Sequence, residues 1–106
     1  MPKIFGFQFG PKSGIELAIE EAIVLIDEKQ YDRAIAVLEE KGLGRDPENA
    51  KVRLNLGVVH MMKGEYDRAE SYLTPLTKTR GMHSDKAAAQ IALERIAELR
   101  SGAGNA

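Results

Sequence analysis

Between Ser13 and Arg100 the apolar residues of this chain return every three or four positions, the spacing that gathers them on one side of a helix. Ser13 with Glu16 forms a capping-box pattern ahead of an apolar run through Ile26, which predicts a first helix from Ser13 to Glu28. A second is expected from Tyr31 to Lys41, stopping at Gly42. Asp46-Pro47-Glu48 reads as the start of a third, with Asp as cap, Pro in the first turn and Glu complementing the dipole. That helix should reach Lys63 before Gly64 breaks it. The fourth opens near Glu65 and should end or kink at Pro75, whose ring and missing N–H disfavour a helix interior. Gly81 to His83 makes a turn, Ser84 caps a fifth helix reaching about Arg100, and the small, polar tail 101–106 is expected to be disordered.

Two features break the even texture. All three phenylalanines, Phe5, Phe7 and Phe9, alternate within residues 3–10, which predicts an extended Phe-rich arm over residues 1–12 ahead of a helical domain over 13–100. The second feature is a repeat. Tyr31-Asp32-Arg33-Ala34 recurs as Tyr66-Asp67-Arg68-Ala69 at an offset of 35, each followed by a leucine, Leu38 and Leu73. Upstream, Leu17, Ile19, Ile23, Val24 and Ile26 map at that offset onto Val52, Leu54, Val58, Val59 and Met61. Self-similarity at such a period, with helical spacing inside each unit, marks an all-α solenoid of helix-turn-helix repeats.

The second unit resembles the tetratricopeptide repeats: Asn55-Leu56-Gly57 in its first helix, Gly64 at the turn, Tyr66-Asp67 opening the second helix, then Ala69 and Leu73. The first unit keeps Ala22, Tyr31, Ala34, Leu38 and an Asp46-Pro47 link. The resemblance covers Ile15 to Leu76 and implies two helix pairs, with the fifth helix a degenerate third repeat or a cap. Arg53 and His60 depart from the aromatic residues the family favours there, and one extra residue in Lys41-Gly42-Leu43-Gly44-Arg45 lengthens the first linker. The small residues at which such helices cross, Ala22, Ala34, Gly57 and Ala69, are all present.

Charge narrows the partner class. A formal net charge of −1 disfavours nucleic acid or an anionic membrane surface, both of which need a basic face. The distribution is uneven: residues 1–49 hold six Lys/Arg against ten Asp/Glu, and residues 50–106 hold nine against six. There is no cysteine, hence no disulfide framework, thiolate nucleophile or Cys-ligated zinc. No apolar run is long enough for membrane insertion, and Gly6, Gln8 and Gly10 interrupt any signal-peptide core, so a cytoplasmic location is expected.

No catalytic constellation is visible. His60 and His83 are the only histidines, and neither sits in a Ser/His/Asp or metal-binding pattern. His60 falls on the face between helices and is expected to be packed and hydrogen-bonded. Gly42-Leu43-Gly44 follows a helix, not a strand, and Pro47 occupies the slot a dinucleotide fingerprint reserves for glycine. No enzyme activity, cofactor or metal is expected.

What the resemblance implies is a concave groove lined by the first helix of each pair. Here that face would present Ile19, Ile23 and Ile26, then Lys51, Leu54, Asn55, Val58, Met61 and Met62, with Ala89, Leu93 and Ile96 from the fifth helix. In the family's carboxylate-binding version, lysine and asparagine stand in the groove. Lys51 and Asn55 fit that pattern, but their neighbours are aliphatic, so an apolar helix or peptide is the expected occupant. The first reading is therefore a non-enzymatic protein-binding module, an adaptor or assembly factor. The second is a structural subunit of a homo-oligomer or larger complex held through Phe5, Phe7 and Phe9. Leu17 and Val24, lacking a preceding repeat to pack against, would be exposed unless the arm or another chain covers them.

Overall fold

A computed structural model describes residues 11–78 and 83–105. The arm with Phe5, Phe7 and Phe9 lies outside the described residues, as does most of the turn expected at Gly81 to His83. Every described element is helical, in the order α1 (Gly14–Asp27), α2 (Tyr31–Val37), α3 (Ala50–Met62), α4 (Tyr66–Leu73) and α5 (His83–Asn105).

Local chemistry fixes the first helix pair and the turn within it. The Ser13 hydroxyl accepts the Glu16 N–H at 3.1 Å, and the Glu16 carboxylate accepts the Ser13 N–H at 2.8 Å, so the expected capping box closes. α1 ends with Lys29 at a φ of 63°, the Gln30 N–H donating to the Leu25 carbonyl and the Lys29 N–H to that of Ile26. At the same place in the second repeat Gly64 has a φ of 84° and the same two bonds recur, from Glu65 to His60 and from Gly64 to Met61. Glycine adopts that conformation freely, whereas a side chain costs roughly 1–2 kcal/mol there.

Four boundaries differ from the pattern reading. The second helix does not stop at Gly42: α2 runs on through a π-helical turn, Leu38–Leu43. The extra residue of the first repeat is absorbed as a widened turn instead of a longer linker. Gly42 serves packing there, since a Cβ on it would stand 2.8 Å from the Val52 side chain. The third helix begins at Ala50 with Asn49 as its cap, accepting the Val52 N–H at 3.0 Å. Asp46 instead turns the chain ahead of the helix: its carboxylate accepts the Glu48 N–H and its carbonyl that of Asn49. Ser84 lies inside α5, which begins at His83 and also takes in 101–105, the stretch read from sequence as a tail. Pro75 acts as expected: α4 ends at Leu73 and continues only as a 3₁₀ turn, Thr74–Lys78.

The helices pack as a stack of pairs around two apolar clusters. Ala22, Ala34, Leu38, Val52, Leu56 and Val59 are wholly buried in the first cluster, and Ala69, Leu73, Ala89 and Ile96 in the second. Helices cross closely where small residues stand: a Cβ on Gly57 would meet Leu73 Cγ at 2.4 Å. α5 docks on α3 and α4, with Arg100 bonded to Asp67 and Glu70 and lying over the Tyr66 ring. The open end of the stack is as anticipated. Val52 and Val59 are 0% exposed, while their first-repeat equivalents Leu17 and Val24 are 54% and 55% exposed.

His60 is buried, stacked on Tyr72 at 5.7 Å, and its Nδ1 donates to Glu65 Oε1 at 2.7 Å. Lys63 completes a link between repeats by bonding both Asp32, at the start of α2, and Glu65. The hydrogen bond from His60, helped by Lys63, holds the Glu65 carboxyl below its ordinary 4.5. A depressed carboxyl stabilises the fold above the unfolded value and loses that contribution as pH falls through the folded one. The stability gap between wild type and Glu65→Gln should therefore be widest near neutrality and close below about pH 4.5. A gap that stayed constant in urea melts across that range would remove Glu65 from the network.

Candidate functional site

Most of the residues expected along a groove of the first helices line two separate depressions. Ile23 and Ile26 of α1 face Asn55, Val58 and Met62 of α3 across a cleft of about 380 Å³. Ile23 and Met62 are about half exposed, Val58 less so. The remaining wall was not foreseen: Asp27, Lys29 and Tyr31 close the cleft at the end where α1 turns into α2. Tyr31 could have been found from sequence, because it opens the repeated tetrapeptide one turn after Ile26. Lys29 could not, because its position depends on the left-handed turn that points the chain toward the cleft. Neither Asp27 nor Lys29 has an ion-pair partner among the described residues.

The other groove residues go elsewhere. Ile19 and Lys51 line a second depression with Ser13, Ile15 and Asn49, at the N-terminal ends of α1 and α3. Leu54 and Met61 turn toward α4 and α5 and pack against the second core cluster. Of the fifth-helix residues named from sequence, Ala89 and Ile96 are wholly buried and Leu93 packs against the same cluster, so they are core and not groove. Buried Asp85, Ala89 and Ala92 match buried Val52, Leu56 and Val59 at an interval of 33, which puts Ile91 where the second repeat has Val58.

The electrostatics of the second depression oppose a carboxylate clamp. Lys51 Nζ already bonds Asp85 Oδ1 at 3.1 Å, and Asp85 is 3% exposed. A lysine held by a buried carboxylate has little charge left to attract a second one. Asn55 spends its amide N–H on the Lys51 carbonyl at 2.8 Å. The main cleft is better suited to apolar side chains, with Met62 giving it an adaptable rim. Among the described residues no group of three or more His, Asp and Glu is placed to hold a metal ion, and no helix is long and apolar enough to cross a membrane.

Compared with known proteins, residues 25–96 match a family model described as tetratricopeptide repeat. No curated protein and no solved structure matches the chain.

Proposed function

Because the chain belongs to the tetratricopeptide repeat family, whose repeats generally mediate protein–protein interaction, we propose that it is a non-enzymatic adaptor that binds one partner segment in the cleft between α1 and α3. The observation that carries this reading is the exposure of Ile23 and Met62 around Val58 in a cleft whose exposed surface is mainly apolar. An apolar concavity of this kind loses water when a partner's side chains enter it, and that burial supplies the affinity. Charged groups at the rim set orientation and association rate.

Val58→Glu tests it. The side chain is only partly buried and points into the cleft, so the variant should keep its helical circular dichroism yet lose about tenfold or more in affinity for partners captured from the native source. If the variant unfolds instead, this face belongs to the core and the groove reading fails. A second reading, a subunit of a homo-oligomer or larger assembly held through the Phe-rich arm, draws on the half-exposed Leu17 and Val24 at the open end of the stack. Light scattering separates the two, since a monomer by mass excludes self-assembly.

A further inference from the structure

Apart from the cleft and independent of it, we propose a second docking site, the face of the second helix pair that α5 covers. Its occupant is a partner helix that displaces α5 and carries aliphatic residues where α5 has Asp85, Ala89 and Ala92. The face itself is repeated residue for residue. In the first pair Ile19, Ile26 and Tyr31 pack around buried Ala34 and Leu38; at the 35-residue interval the second pair sets Leu54, Met61 and Tyr66 around buried Ala69 and Leu73. What lies on it is not repeated. α3 brings Val52, Leu56 and Val59 to the first cluster, all wholly buried, whereas the matching residues of α5 are Asp85, Ala89 and Ala92. Among the described residues, Ile96 is the one large aliphatic side chain that α5 buries completely.

The polar ties of α5 do not make up the difference. Asp85 Oδ1 accepts from Lys51 Nζ at 3.1 Å, but Oδ2 is buried with no hydrogen-bond partner among the described residues. A carboxylate taken out of water and left half satisfied opposes the docking of the helix that carries it. The ties from Arg100 to Asp67 and Glu70 join side chains that water reaches, and such pairs hold little. With small and charged side chains, α5 thus covers a face whose counterpart takes valine and leucine. A helix with aliphatic residues at those three positions buries more apolar surface there and leaves no carboxylate stranded. Displacement also strips Asp67 and Glu70 of Arg100. The incoming helix therefore carries aliphatic residues at i, i+4 and i+7 and a basic one near i+15, the spacing of Asp85, Ala89, Ala92 and Arg100.

The probe is a labelled peptide of the α5 sequence, residues 83–105, carrying Asp85→Val, Ala89→Leu and Ala92→Val, titrated into the full chain beside the unaltered peptide. The altered peptide should bind about tenfold or more tightly than the unaltered one. As it binds, amide exchange read by mass spectrometry should speed up in the resident α5 and stay unchanged in α1. The full chain with Val58→Glu should bind it as wild type does, which keeps this site apart from the cleft. A second measurement needs no peptide: Asp85→Val in the full chain should slow exchange in α5 about tenfold or more, since Val52 fills the matching place in α3. The proposal is overturned if the altered peptide binds no better than the unaltered one, if it binds while the resident α5 stays protected, or if Val58→Glu abolishes its binding. Faster exchange of α5 in the Asp85→Val chain overturns it as well, by showing that the carboxylate holds the helix down.

Discussion

Ala69→Leu should lower the thermal unfolding midpoint by roughly 5–20 °C, the product of about 1–3 kcal/mol of overpacking and the sensitivity of a domain this size. Ala69 is 0% exposed in the second cluster, one turn from Leu73. On the facing helix there is no slack either, because even a Cβ on Gly57 would stand 2.4 Å from Leu73 Cγ and 2.5 Å from its Cδ2. The added leucine must displace Leu73 or push α3 and α4 apart. Gly57→Ala makes the point with the opposite propensity: the substitution gains about 1 kcal/mol as helix former, yet it should still destabilise. A rise in midpoint for that variant would show that the two helices have room to separate.

The same substitution at two leucines should give opposite results. Leu38→Ala removes a wholly buried side chain from the first cluster, at the start of the π-helical turn, and should cost about 2–5 kcal/mol as lost burial plus a cavity. Leu17→Ala, on a residue 54% exposed at the open end of the stack, should change stability by no more than about 0.5 kcal/mol. Chemical denaturation of the two variants beside wild type settles the comparison. If Leu17→Ala proved as damaging as Leu38→Ala, something would have to be covering α1, and the arm or a second copy would be the first candidate.

The parts of this fold legible in the amino-acid order are those fixed by repetition and by small residues. The recurring Tyr-Asp-Arg-Ala and the five matched apolar positions register the two pairs, and Ala22, Gly57 and Ala69 stand where helices cross. What was hidden depends on choices between equally sound local signals. Gly42 and Gly64 look alike as breakers, yet Gly42 is held inside a helical turn by contact with Val52, which lies in another helix. Asp46 and Asn49 are both good caps, and the turn from Asp46 to Asn49 decided for the second. In the candidate cleft, Ile23, Ile26, Asn55, Val58 and Met62 followed from the repeat, whereas Leu54 and Met61 did not. Their direction is set by packing against the second cluster, to which α5 contributes, and α5 repeats at 33 and not 35.

α3 gives Val52, Leu56 and Val59 to one apolar cluster and Leu54 and Met61 to the other, with Tyr72 of α4 as a further link to the first. The cooperativity of this small array is thus transmitted chiefly through one thirteen-residue helix. In a stack of units that contact only their neighbours, each end can open on its own, at less than the global free energy. The middle cannot. Amide hydrogens in α3 should therefore exchange only when both clusters are lost together, making this helix the slowest clock in the molecule and α1 and α5 faster ones.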